Sequence, residues 1–293
     1  MASSSKSRRF DAVEMCLVAV LAATVAGAAS ARGVSVYLAK RYARLSYVAY
    51  TAAQEQSSLK DRYGPARYSR NEEEWIIRDY FQDRREGIFV DVGANHYRND
   101  SNTFYLESVL GWSGVAIDPQ TEFGADYRTH RPRTRFFAFF VSDVTDASVA
   151  LHLVDGNSLV ASGDRRFAER AAAEGAGPNR RTQVVSVPTI RLSDLLDRVG
   201  ITGFDLLSVD VELAEPKVLA GFEIGRFKPS LVCVEGQPEV RQQILDYFAA
   251  NSYVLVGRYL RADLQNLYFV PAKPASPAGS VSPAGTSDKT AQR

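Results

Sequence analysis

Short apolar runs that end in or beside an acidic residue recur along the middle of this chain, and that rhythm constrains its fold more than any other feature. The runs are Ile88 to Val92 with Asp91 inside it, Gly114 to Asp118, Phe136 to Val141, Phe204 to Asp210 and Ser230 to Glu235. They are β-branched or aromatic and mostly apolar on both faces, as strands of a parallel sheet are when helices cover both sides. Amphipathic stretches separate them and predict helices at Asn71 to Gln82, Ser101 to Leu110, Thr121 to His130, Ser193 to Val199, Glu215 to Gly221 and Glu239 to Ala250. Ser69 followed by Glu72 reads as a capping box for the first. Tyr253 to Tyr259 and Asn266 to Val270 predict a terminal antiparallel hairpin. The alternation predicts an α/β domain, doubly wound in three layers around a mostly parallel sheet.

Composition narrows the function. With 45% hydrophobic and 24% charged residues the chain is an ordinary globular protein, which excludes a disordered or multi-span membrane class. Its 35 basic and 34 acidic residues give no field to hold a polyanion, so nucleic acid is not an expected partner. Cys16 and Cys233 sit in an apolar N-terminal run and a predicted strand, and they make no disulfide framework.

The ends differ from the middle. Residues 1–33 carry an apolar run, Ala12 to Ala31, long enough for a membrane span, behind the basic prelude Lys6, Arg8 and Arg9. The expectation is a single-pass anchor with the domain on the cytosolic side, and a cleaved signal leading to export is the alternative. Residues 34–70 read as a stem, 71–270 as the domain, and the Pro/Ala/Ser-rich 271–293 as a disordered tail. Leu151 to Arg181 interrupts the β/α rhythm, with a strand at Leu151 to Val154 and a charged helix, and such insertions beside a sheet end carry substrate contacts. The arginines at 128, 131, 133, 135, 165, 166, 180 and 181 read as a solvated basic rim.

In an open α/β sheet, ligands bind beyond the carboxyl ends of the strands. Asp91, Asp118, Asp210 and Glu235, with Asp143 just past a further run, therefore converge on one crevice. The turn Asp91-Val92-Gly93-Ala94-Asn95 puts a glycine directly after the first strand, where a cofactor approaches the backbone. Asp118, ending the second strand, is placed to accept both hydroxyl hydrogens of an adenosine ribose. A dehydrogenase fingerprint is absent, because Asn95 and Arg98 stand where its second and third glycines fall.

Four strings carry a resemblance: Phe89 to Asn95, Ser101 to Glu107, Gly111 to Pro119 and Leu207 to Glu212. In them the chain resembles the FkbM-type S-adenosylmethionine-dependent methyltransferases over about Gly87 to Gly236. The resemblance implies a class I, Rossmann-like methyltransferase fold and methyl transfer to oxygen on a sugar, lipid or related small-molecule acceptor. By it Asp91, Gly93 and Ala94, with the adjoining Asn95, line the methionine end of S-adenosylmethionine, Asp118 holds its ribose, and Ser142 and Asp143 border the adenine. Asp210 and Glu212 face the methyl group and acceptor. Two positions depart from the family pattern: Tyr97 stands where the loop usually has a second glycine, and Leu213 replaces the glycine of the Asp-x-Glu-Gly-Ala-Glu string. A methyltransferase-like binding module without catalysis therefore stands as the alternative.

A hydroxyl acceptor must lose its proton, and Asp210, Glu212 and His96 are the candidate bases. Asp210, Glu212 and Glu235 also offer hard oxygen ligands, but their spacing establishes no octahedral set, and no metal is assigned.

Overall fold

The computed structural model describes residues 51–154, 157–174 and 182–272. Eleven strands form two sheets among these residues. The larger has seven: β1 (Ile88–Val92), β2 (Ser113–Ile117), β3 (Thr134–Phe137), β8 (Leu206–Val209), β9 (Leu231–Glu235), β10 (Tyr253–Leu255) and β11 (Asn266–Pro271), in the order β10-β11-β9-β8-β1-β2-β3. The five from β9 to β3 are mutually parallel, whereas β11 lies antiparallel to β9 and β10 antiparallel to β11. A helical turn, Tyr259–Ala262, fills the connection between β10 and β11.

Each central strand is buried on both faces because its alternate side chains enter two different cores. Val90, Val92, Val115, Ile117, Leu207, Val209, Val232 and Val234 join one cluster with the helices Leu192–Val199, Glu215–Ala220, Ile224–Phe227 and Arg241–Ala250. Phe89, Leu206, Leu231, Cys233 and Tyr268 join the other, with Ile76, Ile77 and Phe81 of helix Glu73–Phe81 and with Leu106, Leu110 and Trp112.

That helix starts later than the sequence predicts. The capping box does not form: Glu72 itself is the N-cap and makes no side-chain cap bond, while Ser69 Oγ, three residues earlier, accepts the N–H of Glu74 at 3.0 Å. Residues 51–63, within the expected stem, are helical and dock on the domain: Gln56 donates to the Ala262 carbonyl and Arg62 pairs with Asp79.

The apolar run Phe136 to Val141 is not one strand. It breaks after Phe137, and β4 (Phe140–Val141) leaves β2's neighbourhood to pair with β7 (Thr182–Ile190). With β5 (Ser148–Val154) and β6 (Asn157–Ser162) these make a second sheet, ordered β4-β7-β5-β6. The interruption expected at Leu151 to Arg181 thus contributes β6, the end of β5 and the helix Arg165–Glu174 to a small sheet.

The membrane assignment requires correction. Among the described residues no helix is long and apolar enough to cross a membrane. The run Ala12 to Ala31 lies outside the described residues, as do residues 273–293 of the expected tail.

Candidate functional site

The strand order reverses at β1. The chain runs outward from β1 through β2 to β3 and then returns on the other side of β1 as β8. Such a reversal opens a crevice at the carboxyl ends of the strands. Here it is a cleft of about 220 Å³ lined by the ends of β1, β2, β8 and β9, by Phe140, Leu151 and Ala161 of the small sheet, and by Arg70, Asn71 and Glu73 ahead of β1.

Gly93 and Asp118 form one half. Gly93 has φ +81°, and a β-carbon there would lie 1.7 Å from the Asp210 carbonyl oxygen, so only glycine lets the ends of β1 and β8 meet. Asp118 is buried, and its two carboxylate oxygens accept separate backbone N–H groups, Gln120 at 2.8 Å and Asn95 at 3.1 Å. Burial nonetheless pushes its pKa up to about 6, against the lowering by these bonds. Ile117, Pro119, Phe139 and Val141 add an apolar wall.

Asp210, Glu212 and Glu235 form the other half, and one carboxylate oxygen from each lies within 4.8 Å of the other two. Gln237 bridges two of them, its Nε2 donating to Glu212 at 2.8 Å and to Glu235 at 2.9 Å. Burial first, and then the neighbouring Asp210 and Glu212 charges respectively, push Glu212 and Glu235 up to about 8. Asp210 is raised well above the carboxylate range by burial and by Glu235. Glu212 and Leu213 both take left-handed backbone, at φ +53° and +75°, the second at the position where the resembling family has its glycine.

The candidate residues from the sequence divide accordingly. Gly93, Asn95, Asp118, Asp210 and Glu212 all line the cleft. Asp91, Ala94, Ser142, Asp143 and His96 do not. Asp91 is buried beneath the cleft, its Oδ2 accepting from Thr103 Oγ at 2.8 Å. Ala94 packs with Ala116 and Tyr127. Ser142 is buried and donates to the exposed Asp143. His96 turns Nδ1 to the N–H groups of Arg98 and Asn99, both at 3.1 Å.

Neither departure from the family pattern lines the cleft. Tyr97 stacks between His96 and His130, each ring centroid 4.6 Å away. Leu213 packs against the core cluster beneath the Val92 face of the sheet. Arg131 is not part of a solvated rim. It is 1% exposed and sits between Glu107, at 2.5 Å, the Tyr97 carbonyl, at 2.8 Å, and Thr103. Because Thr103 also binds Asp91, this network fixes the loop after β1 from below.

Sequence reasoning missed Gln237, Asn71, Glu73, Asn102 and Gln265, all at or beside the cleft. Gln237 follows β9 by two residues, and the strand-end rule that picked out Glu235 extends to it. Asn71 and Glu73 precede the first strand, so no strand-end signal marks them.

No curated protein and no solved structure matches the chain. The sequence model of the methyltransferase FkbM domain does, over residues 91–255. That span starts at Asp91 near the end of β1, closes with β10, and takes in both halves of the cleft together with the small sheet, so the chain belongs to the FkbM methyltransferase family.

Proposed function

We propose that this methyltransferase moves the methyl group of S-adenosylmethionine to a hydroxyl oxygen of a small-molecule or carbohydrate acceptor, on a class I, three-layer fold. The observation that carries the reading is the division of one continuous cleft into a Gly93–Asp118 half and an Asp210–Glu212 half. The first half fits an adenosyl group. Besides its two backbone bonds the Asp118 carboxylate is bonded by the Gln120 side chain, which leaves it room for one ribose hydroxyl and for a second where the Gln120 amide gives way, and Pro119, Phe139 and Val141 offer flat apolar contact for a base.

The bound donor supplies an electrophilic methyl on a sulfonium. The remaining work belongs to the chain. Asp118 orients the ribose, and the Gly93 backbone brings the donor's other end toward Asp210. Burial and mutual repulsion make Asp210 and Glu212 hold their protons tightly, and the positive sulfonium favours their ionised forms; the ionised member stands where an acceptor hydroxyl would lie and accepts its proton as the oxygen attacks. Holding donor and acceptor in line supplies much of the acceleration. Phe140, Leu151 and Ala161 line the same cleft as the acids and pack beside the turn that carries them, so the acceptor has an apolar part as well as hydroxyls.

Tyr97 and Leu213 leave the cleft open, which favours catalysis over a binding module. Calorimetric titration of the full-length chain with S-adenosylhomocysteine tests the donor half. Micromolar binding, about −8 kcal/mol, supports the reading. A folded chain giving neither heat nor a thermal shift overturns it.

A further inference from the structure

We propose that Gln237 is a positioning residue for the proton transfer: its side-chain amide ties the Glu212 carboxylate to that of Glu235 and holds Glu212 where it meets the acceptor hydroxyl. The role rests on the reading that this half of the cleft receives the acceptor.

Hydrogen-bond donors are scarce around these two acids. Gln237 Nε2 donates to Oε2 of Glu212 at 2.8 Å and to Oε2 of Glu235 at 2.9 Å, and among the described residues no other group donates to either carboxylate. Both amide hydrogens are thereby used, and Oε1 of each acid is left to take a proton or meet a ligand. A donor on one oxygen favours the ionised form of an acid, whereas a half-buried carboxylate without any donor keeps its proton.

The bridge crosses the seam between two neighbouring parallel strands, since Glu212 follows β8 and Glu235 closes β9. The frame behind Gln237 is firm. Its carbonyl accepts the N–H groups of Val240 at 3.1 Å and Arg241 at 2.9 Å, where the helix Arg241–Ala250 begins. Gly236, just before it, donates its N–H to the Gln265 carbonyl at 2.9 Å, and a β-carbon on Gly236 would stand 2.9 Å from Leu267 Cγ, so the chain lies close against β11 there. Glu212 is fastened at its main chain too, its carbonyl accepting Ser162 Oγ. Serine holds the backbone of this acid, and glutamine holds its carboxylate.

The surrounding charges make that single donor matter. Glu215 and the exposed Arg70 bear on both acids, and Asp210 bears on Glu212. Glu73 lines the same cleft from the helix ahead of β1, while Arg241 turns its guanidinium to the Gly236 carbonyl. Burial and the anions push Glu212 and Glu235 up to about 8, and the Gln237 amide works against them. Without the amide the pair holds its protons to still higher pH. When the acceptor oxygen takes the methyl group, its O–H proton passes to a carboxylate oxygen of Glu212, and the electron pair of the broken S–C bond stays on sulfur. A Glu212 that is already protonated cannot receive that proton.

Binding reports this role without a known acceptor. S-adenosylmethionine carries the sulfonium charge and S-adenosylhomocysteine does not, so the ratio of their affinities follows the ionisation of the acids beside the sulfur, and the contribution of Asp118 cancels. Both ligands are titrated calorimetrically into the full-length chain from pH 6 to pH 9, with wild type and with Gln237→Met, which keeps the side chain's length and loses its donor. In wild type the preference for S-adenosylmethionine should rise with pH around 8. Gln237→Met should move that rise up by about one pH unit, lowering the preference at pH 8 about threefold to fivefold and leaving S-adenosylhomocysteine affinity within about twofold of wild type. A variant that weakens both ligands alike and leaves the rise in place overturns the proposal, because that is the mark of a structural role. A wild-type preference that is flat across the range overturns it as well. Gln237→Leu is the second variant, used if circular dichroism shows Gln237→Met unfolded; if both unfold, the amide serves the fold rather than the acids and the proposal falls. Failure of the donor reading is distinct, since wild type then binds neither ligand at any pH.

Discussion

Asp118 offers the sharpest test of the donor half, through Asp118→Asn. In the wild type, burial raises the Asp118 pKa to about 6, above the ~3.9 of an unfolded chain. The native state therefore holds this proton more tightly than the unfolded state does. As pH rises from 4 through 6 the ionising carboxylate costs native stability, reaching about 3 kcal/mol above pH 6. Asparagine has no such pH-dependent cost. It does place an amide against the N–H of either Asn95 or Gln120, leaving a buried donor unmatched for about 1–3 kcal/mol. Denaturant unfolding should accordingly find the variant less stable than wild type at pH 4 and equal or more stable at pH 8. Ligand binding moves the other way. Only the ionised carboxylate accepts both ribose hydroxyls, so wild-type affinity for S-adenosylhomocysteine is full above pH 6 and falls towards tenfold per pH unit below it. The variant loses about 1.5–3 kcal/mol of binding at pH 8 and shows no such fall. A variant that binds as tightly as wild type at pH 8, or a wild-type affinity that is flat from pH 7 to pH 5, refutes the assignment.

Three further substitutions probe the frame around the cleft. Gly93→Ala drives a β-carbon into the Asp210 carbonyl at left-handed φ, so thermal unfolding should show a loss of about 2–4 kcal/mol, and analogue binding should fall with it. Arg131→Met leaves Glu107 buried without its partner; urea unfolding should register a loss of about 3–5 kcal/mol. Leu213→Gly relieves left-handed strain of about 1–3 kcal/mol and forfeits roughly 1 kcal/mol of half-buried apolar contact. Its stability should stay within about 2 kcal/mol of wild type, and unchanged analogue affinity in calorimetry would verify that Leu213 does not close the donor site.

The large sheet was legible because its strands advertise themselves locally. Val90, Val115, Leu207 and Val232 sit in runs that are apolar on both faces, and acids follow where the chain leaves the core. The small sheet is a different case. The break at Phe137 falls inside an unbroken apolar run, and what splits it is the pairing of Val141 with Ile190, far along the chain. β7 carries a period-two signal, with Val185, Val187 and Thr189 inward and Val184 exposed, yet Pro188 within it argues against a strand. In the cleft, Gly93, Asp118, Asp210 and Glu212 could be read from strand ends. The burial of Asp91 could not, since it depends on Thr103 and Arg131 arriving from two other loops.

One bond joins the two sheets at the cleft. Ser162, at the end of β6, donates its Oγ to the Glu212 carbonyl at 2.7 Å and accepts the N–H of Asp164. The small sheet is thereby fastened to the turn that carries the acids, and the two behave as one mechanical unit. Substitutions at Phe140, Leu151 or Ala161 can change the apolar lining of the cleft while Ser162 keeps the acidic turn in place. A chain built this way can change what it recognises without rebuilding how it reacts, provided the serine stays.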